Sequence, residues 1–419
     1  KGEVVKLRLT LGAPFNMLEK AVEIVPGVYW VGAVDRERTV FDSFMSLPYG
    51  TTYNSYLIKG RDKTTLVDTV GLDFADTLLK KVSEVVDPAT LDYVVMNHAE
   101  PDHAGTLPKL LSIARKAQLV TTKKGLGMAK VFYDIPEERV KVVAGGDTLP
   151  LGDKTLRFID APWLHWPETM FTYCVEDGVL FSCDFFGAHV ASERLYEEEV
   201  GDVVLSEAKR YYAEIMMIFL NPVRKALERL EGLDIRIIAP SHGPVWRNPD
   251  KILQAYRGWA IVPLRPRVVV IYVSMYGSTT ELEKAIVAAI REEGVEAVAY
   301  NMLSADVSHI VQELVDSSAI VFGSPAFYGG VHPRLASSIE LIRTMKPRGK
   351  TVAVFGSYGW GGGAIKEIKA RLQPAGFDIV DSLEVQGPPR EEDLKKASSL
   401  GRNIARKVKS ALGGLAREF

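Results

Sequence analysis

Four potential metal ligands fall within six consecutive residues, His98-Ala99-Glu100-Pro101-Asp102-His103. Imidazoles and carboxylates at this density can hold a metal ion, or they can form a polar loop that caps a helix starting near Ala104. Pro101 and Gly105 favour a tight loop over a continuous helix. Three further residues shift the balance toward metal. His165, Asp184 and His242 follow at intervals of 67, 19 and 58 residues, each at the junction of an apolar strand and a loop. The chain has only seven histidines, and four of them belong to this set. His189, His309 and His332 lack ligand-type neighbours at useful spacing and read as structural or surface residues, His332 near a later loop.

The elements that must position these groups alternate along the first 260 residues. Val28–Val31, Thr52–Ile58 and Thr64–Asp68 have the aromatic and β-branched content of strands. Phe74–Val86 has a helical apolar face, and Leu91–Met96 reads as a buried strand delivering His98 at its end. Strands over Arg157–Ile159, Val179–Ser182 and Arg236–Ala239 lead toward the other candidate ligands. Polar residues at strand ends are the usual site of chemistry in layered α/β folds.

Pro263-Leu264-Arg265-Pro266 interrupts the pattern and reads as a stiff connector. After it, five strands beginning at Val268, Val295, Ala319, Thr351 and Asp378 alternate with helices, predicting a doubly wound parallel sheet. The expected domains are therefore 1–262 and 263–419.

Three loops at strand ends in the second domain suggest a planar phosphorylated ligand. Ser274-Met275-Tyr276-Gly277-Ser278-Thr279 leads from a strand into a helix, where small residues and hydroxyls can surround a phosphate. It has neither the lysine of a nucleotide-triphosphate loop nor a dinucleotide glycine fingerprint, so a mononucleotide is expected. Pro325-Ala326-Phe327-Tyr328-Gly329-Gly330 and Ser357-Tyr358-Gly359-Trp360-Gly361-Gly362 add aromatic rings that can stack on a flat heterocycle.

The first domain resembles the metallo-β-lactamase-like fold, an αββα sandwich with a two-metal site. Zinc hydrolases of that fold carry His-x-His-x-Asp-His, whereas this chain has Glu100 at the second imidazole position. The pattern His-x-Glu-x-Asp-His is similar to that of the flavodiiron proteins, or A-type flavoproteins. A carboxylate there adds negative charge and a hard donor, favouring iron over zinc. The second domain resembles flavodoxin, with FMN as its ligand; Phe327-Tyr328-Gly329 departs from the Thr/Asn-containing loop of many relatives.

The resemblance implies that His98, Glu100 and His165 hold one iron, that Asp102, His103 and His242 hold the other, and that Asp184 bridges them. It also implies second-layer candidates: Asp42, where several members have a histidine, and Tyr211 or Tyr212. Trp163 and Trp166 could exclude water around His165. The implied activity is reduction of O2 to water and/or NO to N2O, with electrons passed through FMN to the diiron site from a separate donor such as rubredoxin or F420H2. A head-to-tail homodimer would bring each FMN to the partner's metals, and tetramer formation is also open. The rival reading is a binuclear zinc hydrolase of the metallo-β-lactamase type.

Composition bounds these readings. Lys+Arg of 51 against Asp+Glu of 53 gives no support for a nucleic-acid partner. No apolar run approaches the ~18 residues of a membrane span, and Lys1-Gly2-Glu3-Val4-Val5-Lys6 lacks the apolar stretch of a signal peptide. Two cysteines, Cys174 and Cys183, fit a cytoplasmic protein and cannot make a four-thiolate cluster.

Overall fold

A computed structural model describes residues 17–261 and 264–415. The opening six residues and Pro263 of the connector lie outside the described residues. The chain divides into two compact units between Ala260 and Ile261.

The first unit is built on two mixed sheets. One has seven strands in the order Val22–Val25, Val28–Trp30, Tyr56–Lys59, Thr64–Val67, Tyr93–Val95, Gln118–Thr122 and Val140–Val143. The other has five, in the order Thr148–Pro150, Thr155–Asp160, Met170–Cys174, Val179–Cys183 and Ile237–Pro240. Their facing side chains form the core: Trp30, Tyr56, Val67, Val95 and Val120 meet Leu156, Phe158, Met170, Phe181 and Ala239. Met170–Cys174 and Val179–Cys183 are buried throughout, which explains why neither alternates apolar residues with charged ones. Helix Ala75–Ser83 turns Leu78 and Val82 inward, and helix Lys123–Tyr133 packs on Gln118–Thr122 and Val140–Val143 of the seven-stranded sheet, as an αββα sandwich requires. Thr122 caps the latter helix by accepting the Gly125 N–H.

One local expectation changes. The ligand loop after Tyr93–Val95 contains a single helical turn, Pro101–Ala104, which carries Asp102 and His103. Proline is accommodated because it occupies the first turn, where its missing N–H is not needed.

The second unit has a five-stranded parallel sheet in the order Glu296–Asn301, Arg265–Tyr272, Ser317–Pro325, Thr351–Tyr358 and Asp378–Gln386. Arg265 and Pro266 thus join the first strand rather than a connector. Pairing of the first strand with both the second and the third places the switch in strand order at Arg265–Tyr272, where such folds bind ligands. Helices Ser278–Glu292 and Glu391–Leu415 pack together over one face, with Leu282, Ile286, Leu400 and Ile404 in the core. Among the described residues, no helix is long and apolar enough to cross a membrane.

Candidate functional site

In the first unit, strand-end loops bring all seven candidate ligands into one cluster. His98 Nε2 lies 3.0 Å from Glu100 Oε2, and His165 Nε2 lies 3.0 Å from the same oxygen. Opposite them, Asp102 faces His103 Nε2 at 3.4 Å and His242 Nε2 at 3.2 Å. Asp184 lies between the two groups. Its Oδ2 approaches His98 and His165 at 3.6 and 3.5 Å, while Oδ1 approaches His103 and His242 at 3.2 and 3.4 Å. One carboxylate thus turns an oxygen to each set of three residues.

The buried donors fit a pair of metal ions. Both Asp102 oxygens, His103 Nε2 and Asp184 Oδ2 are buried without a hydrogen-bond partner, an arrangement costly for polar atoms that have nothing to bind. Without metal, protons take the cation's place. Burial alone would lower the imidazole pKa values, but Asp184 and Glu100 raise His165 to about 10, and Asp102 and Asp184 raise His242 to about 9. Burial would raise Asp184, yet the surrounding imidazoles hold its carboxyl well below the usual range.

A second layer aims the rings. Glu168, which the sequence reading missed, is buried and accepts from His98 Nδ1 at 2.7 Å and from the Ala99 N–H at 2.9 Å. His242 Nδ1 lies 2.7 Å from the Thr52 carbonyl, and His103 Nδ1 faces Cys183 Sγ at 3.9 Å. In each case the second ring nitrogen is engaged, leaving Nε2 for the cluster. Glu168 is three residues beyond His165, a spacing that carries no helix or strand signal pointing it at His98.

The structure separates the remaining candidates. The Tyr211 hydroxyl donates to Asp184 Oδ1 at 2.7 Å, with burial and then Asp184 pushing its pKa well up. Tyr212 instead packs against Tyr256 and Trp259, with ring centroids 5.1 and 5.3 Å away. Asp42 lies in an exposed turn between Val40–Phe41 and Met45–Ser46, with φ of 46°. Partial desolvation and then the Glu100 charge push its pKa upward, so it faces the cluster electrostatically without a hydrogen bond to it. Trp166 meets His98 edge-on at 5.0 Å, whereas Trp163 is half exposed and stacks on Phe219.

Of the two places the sequence allows for His189, structural or surface, it takes the first. It is buried beside Phe41, Tyr211 and His242, with ring centroids 4.7, 4.9 and 5.0 Å away, and its Nδ1 lies 2.8 Å from Thr51 Oγ1. Burial, then the charge on His242, holds it neutral, and Nε2 has no hydrogen-bond partner. Its place five residues after Asp184, on the same strand-end loop, was the available signal. His309 instead pairs with Tyr300 and Gln312, and His332 caps the helix starting at Pro333.

In the second unit, Ser274 Oγ accepts the N–H groups of Gly277 and Thr280 at 3.2 and 3.3 Å, folding the first loop around the start of a 15-residue helix. Gly277 has φ of 99°, open to glycine at little cost. Thr279 Oγ1 and Ser357 Oγ, 3.0 Å apart, join the first loop to the third. Ala326 N–H donates to the Ser357 carbonyl at 2.7 Å, joining second to third. Tyr276, Tyr328 and Trp360 project from the three loops at 93%, 88% and 86% exposure. Large rings this exposed around a helix N-terminus fit a phosphate-bearing planar cofactor.

Comparisons with known proteins agree. The ODP family beta lactamase profile matches residues 51–243, and the Flavodoxin profile matches 270–401. A nitric oxide reductase from Moorella thermoacetica is 36% identical over 93% of this chain and 100% of its own length. A coenzyme F420H2 oxidase from Methanothermobacter marburgensis is 34% identical over 94% of this chain and 100% of its own. Among solved structures, rubredoxin oxygen:oxidoreductase from the anaerobe Desulfovibrio gigas has a TM-score of 0.90 and 31% identity, covering 94% of this chain and 100% of that one. The flavodiiron protein from Giardia intestinalis has a TM-score of 0.89 and 33% identity, covering 93% and 97%. Two matched domains in one order, with relatives alike over nearly their whole lengths, mean that this chain belongs to the flavodiiron proteins, oxidoreductases that use FMN and a diiron centre.

Proposed function

We propose that this protein reduces O2 to water and/or NO to N2O, using electrons from an external donor such as rubredoxin or F420H2. The observation that carries the proposal is Asp184, whose two oxygens face two separate sets of three ligand-type residues. His98, Glu100 and His165 would hold one iron, Asp102, His103 and His242 the other, with Asp184 shared. Bound FMN supplies conversion between paired and single electrons, and the two irons supply redox equivalents and a binding place for a small diatomic molecule.

The chain's own residues prepare that place. The Tyr211 hydroxyl keeps its proton and donates it in a hydrogen bond to Asp184 Oδ1, next to the cluster. Phe41, His189 and Trp166 line it with rings that exclude bulk water. In the second unit, the first loop would hold the phosphate at the start of helix Ser278–Glu292, while Tyr328 and Trp360 would offer faces for the flavin ring. A head-to-tail homodimer would serve each metal site from the partner's flavin; the names of the relatives support the chemistry and leave this assembly as our inference. A binuclear zinc hydrolase would have no use for three aromatic flavin loops, and Glu100 disfavours zinc.

The test is to reduce the FMN- and iron-loaded protein anaerobically with reduced rubredoxin or F420H2, then record O2 and NO consumption separately. Consumption of at least one gas is expected. Failure to consume either, with both cofactors present and the flavin reduced, refutes the proposal.

A further inference from the structure

The second and third flavin loops end adjacent strands, and the glycines at their ends bring them into direct contact. Gly363 adopts φ of 128°, and a Cβ there would lie 2.1 Å from the Gly329 carbonyl oxygen. A Cβ on Gly330 would lie 2.3 Å from Glu367 Oε2. At Gly363 a side chain would meet backbone, whereas at Gly330 it would displace the end of another side chain. At Gly330 the occupant is a carboxylate from the first turns of Ala364–Leu372, the helix that follows the third loop.

Glu367 is held at both oxygens. Oε2 accepts the Val331 N–H at 2.8 Å, at the base of the second loop. Oε1 accepts Arg371 Nε and Nη2 at 2.9 and 2.6 Å. Arg371 Nη1 continues to Glu340 at 3.1 Å, and Glu340 binds Arg343 at 2.6 Å. Glu340 and Arg343 belong to Pro333–Met345, the helix that follows the second loop. The chain of charges therefore ties both helices behind the loops, and Glu367 is its one member bonded to loop backbone. Just before Val331, Phe327 and Gly330 exchange backbone hydrogen bonds of 2.8 and 3.0 Å, making a tight turn that projects Tyr328. Fixing Val331 fixes that turn relative to the loop carrying Trp360.

We propose that Glu367 is a positioning residue for the flavin, clamping the Tyr328 and Trp360 loops at the spacing the ring requires. The proposal rests on FMN occupying this unit. It assigns a role to a residue outside all three loops, acting through the Val331 N–H and the space kept open at Gly330.

The experiment titrates the flavin-free full-length protein with FMN and, separately, with riboflavin, following flavin fluorescence. Glu367→Ala should raise the Kd for FMN about tenfold, the loss of one charge-assisted hydrogen bond. Riboflavin, which lacks the phosphate, should weaken by the same factor because the first loop is untouched. Glu367→Gln keeps a carbonyl acceptor for Val331 and should return affinity to within about threefold of the parent. Gly330→Ala reaches the same contact from the other side, so its loss and that of Glu367→Ala should be markedly non-additive in the double variant. Should Glu367→Ala not fold, Glu367→Gln and Gly330→Ala still decide: an FMN Kd within twofold of the parent for Gly330→Ala overturns the proposal. So does a folded Glu367→Ala with parental affinity, a Glu367→Gln as weak as Glu367→Ala, or a double variant whose losses simply add. A parent protein that binds no FMN refutes the cofactor assignment instead, and the clamp falls with it.

Discussion

Replacing Glu168 by alanine tests whether a buried carboxylate prepares one metal position and not the other. A single oxygen, Oε1, accepts from both His98 Nδ1 and the Ala99 N–H, at 2.7 and 2.9 Å. Glu168 is 1% exposed, so water does not readily replace it. Its loss strands two buried donors, each costing ~1–3 kcal/mol when left unpaired. It also frees the His98 ring to turn and to exchange tautomers, so Nε2 is no longer reserved for metal. Outer partners of metal-bound histidines are worth roughly 10- to 100-fold in affinity, about 1.4–2.7 kcal/mol. The assay is a competitive titration of metal-free protein with Co2+, resolving the two sites by their absorption. Glu168→Ala should weaken the site of His98, Glu100 and His165 by 10- to 100-fold. The site of Asp102, His103 and His242 should change far less, through Asp184 alone. Glu168→Gln retains an acceptor and should fall between parent and Glu168→Ala. Two sites within twofold of the parent, or equal losses at both, would refute the reasoning.

Other expectations follow from the same cluster. Asp184→Asn should lower occupancy at both metal positions, measured as iron per chain, because each oxygen faces a different set of ligands; full iron content contradicts a shared ligand. Tyr211→Phe removes the 2.7 Å bond to Asp184 and should cost ~0.5–1.5 kcal/mol of stability. It should slow gas reduction with iron content unchanged, and a parental rate would show the hydroxyl to be structural only. In metal-free protein, His165 and His242 have pKa values raised to about 10 and about 9, above the unfolded value near 6.5. Their stabilisation of the metal-free fold is therefore complete below about pH 6.5 and is lost as pH rises through 9 to 10. Metal must displace those protons, so its affinity should rise with pH by roughly tenfold per pH unit for each proton displaced, up to those pKa values, and level off above them. Denaturant titrations with and without metal at pH 7 and 9 check both signs; metal affinity flat across that range would be inconsistent with proton displacement.

The second unit was legible because its evidence is local and repeated. Each strand is a short apolar run, and each flavin loop begins where a run ends, so alternation along the chain implies the parallel sheet and the side on which the loops gather. Boundaries moved by a few residues where pairing extends a strand beyond its apolar run, as at Arg265 and Pro266. The first unit's ligands were legible for a related reason: chemistry-bearing types at strand ends stand out against apolar neighbours, and a close spacing such as His98 to His103 restricts them to one loop.

What surrounds those ligands is set by distant contacts. Tyr211 and Tyr212 are adjacent and chemically identical, and only the rotation of about 100° per residue around a helix, set by packing on Tyr256 and Trp259, decides which hydroxyl meets Asp184. Glu168 reaches His98 across 70 residues of chain, and Thr51 reaches His189 across 138. Residue type and spacing alone determined which groups could bind metal and flavin. Tertiary structure decided which neighbours orient them, because a hydrogen bond between remote segments depends on how two sheets pack and leaves no periodicity in either segment.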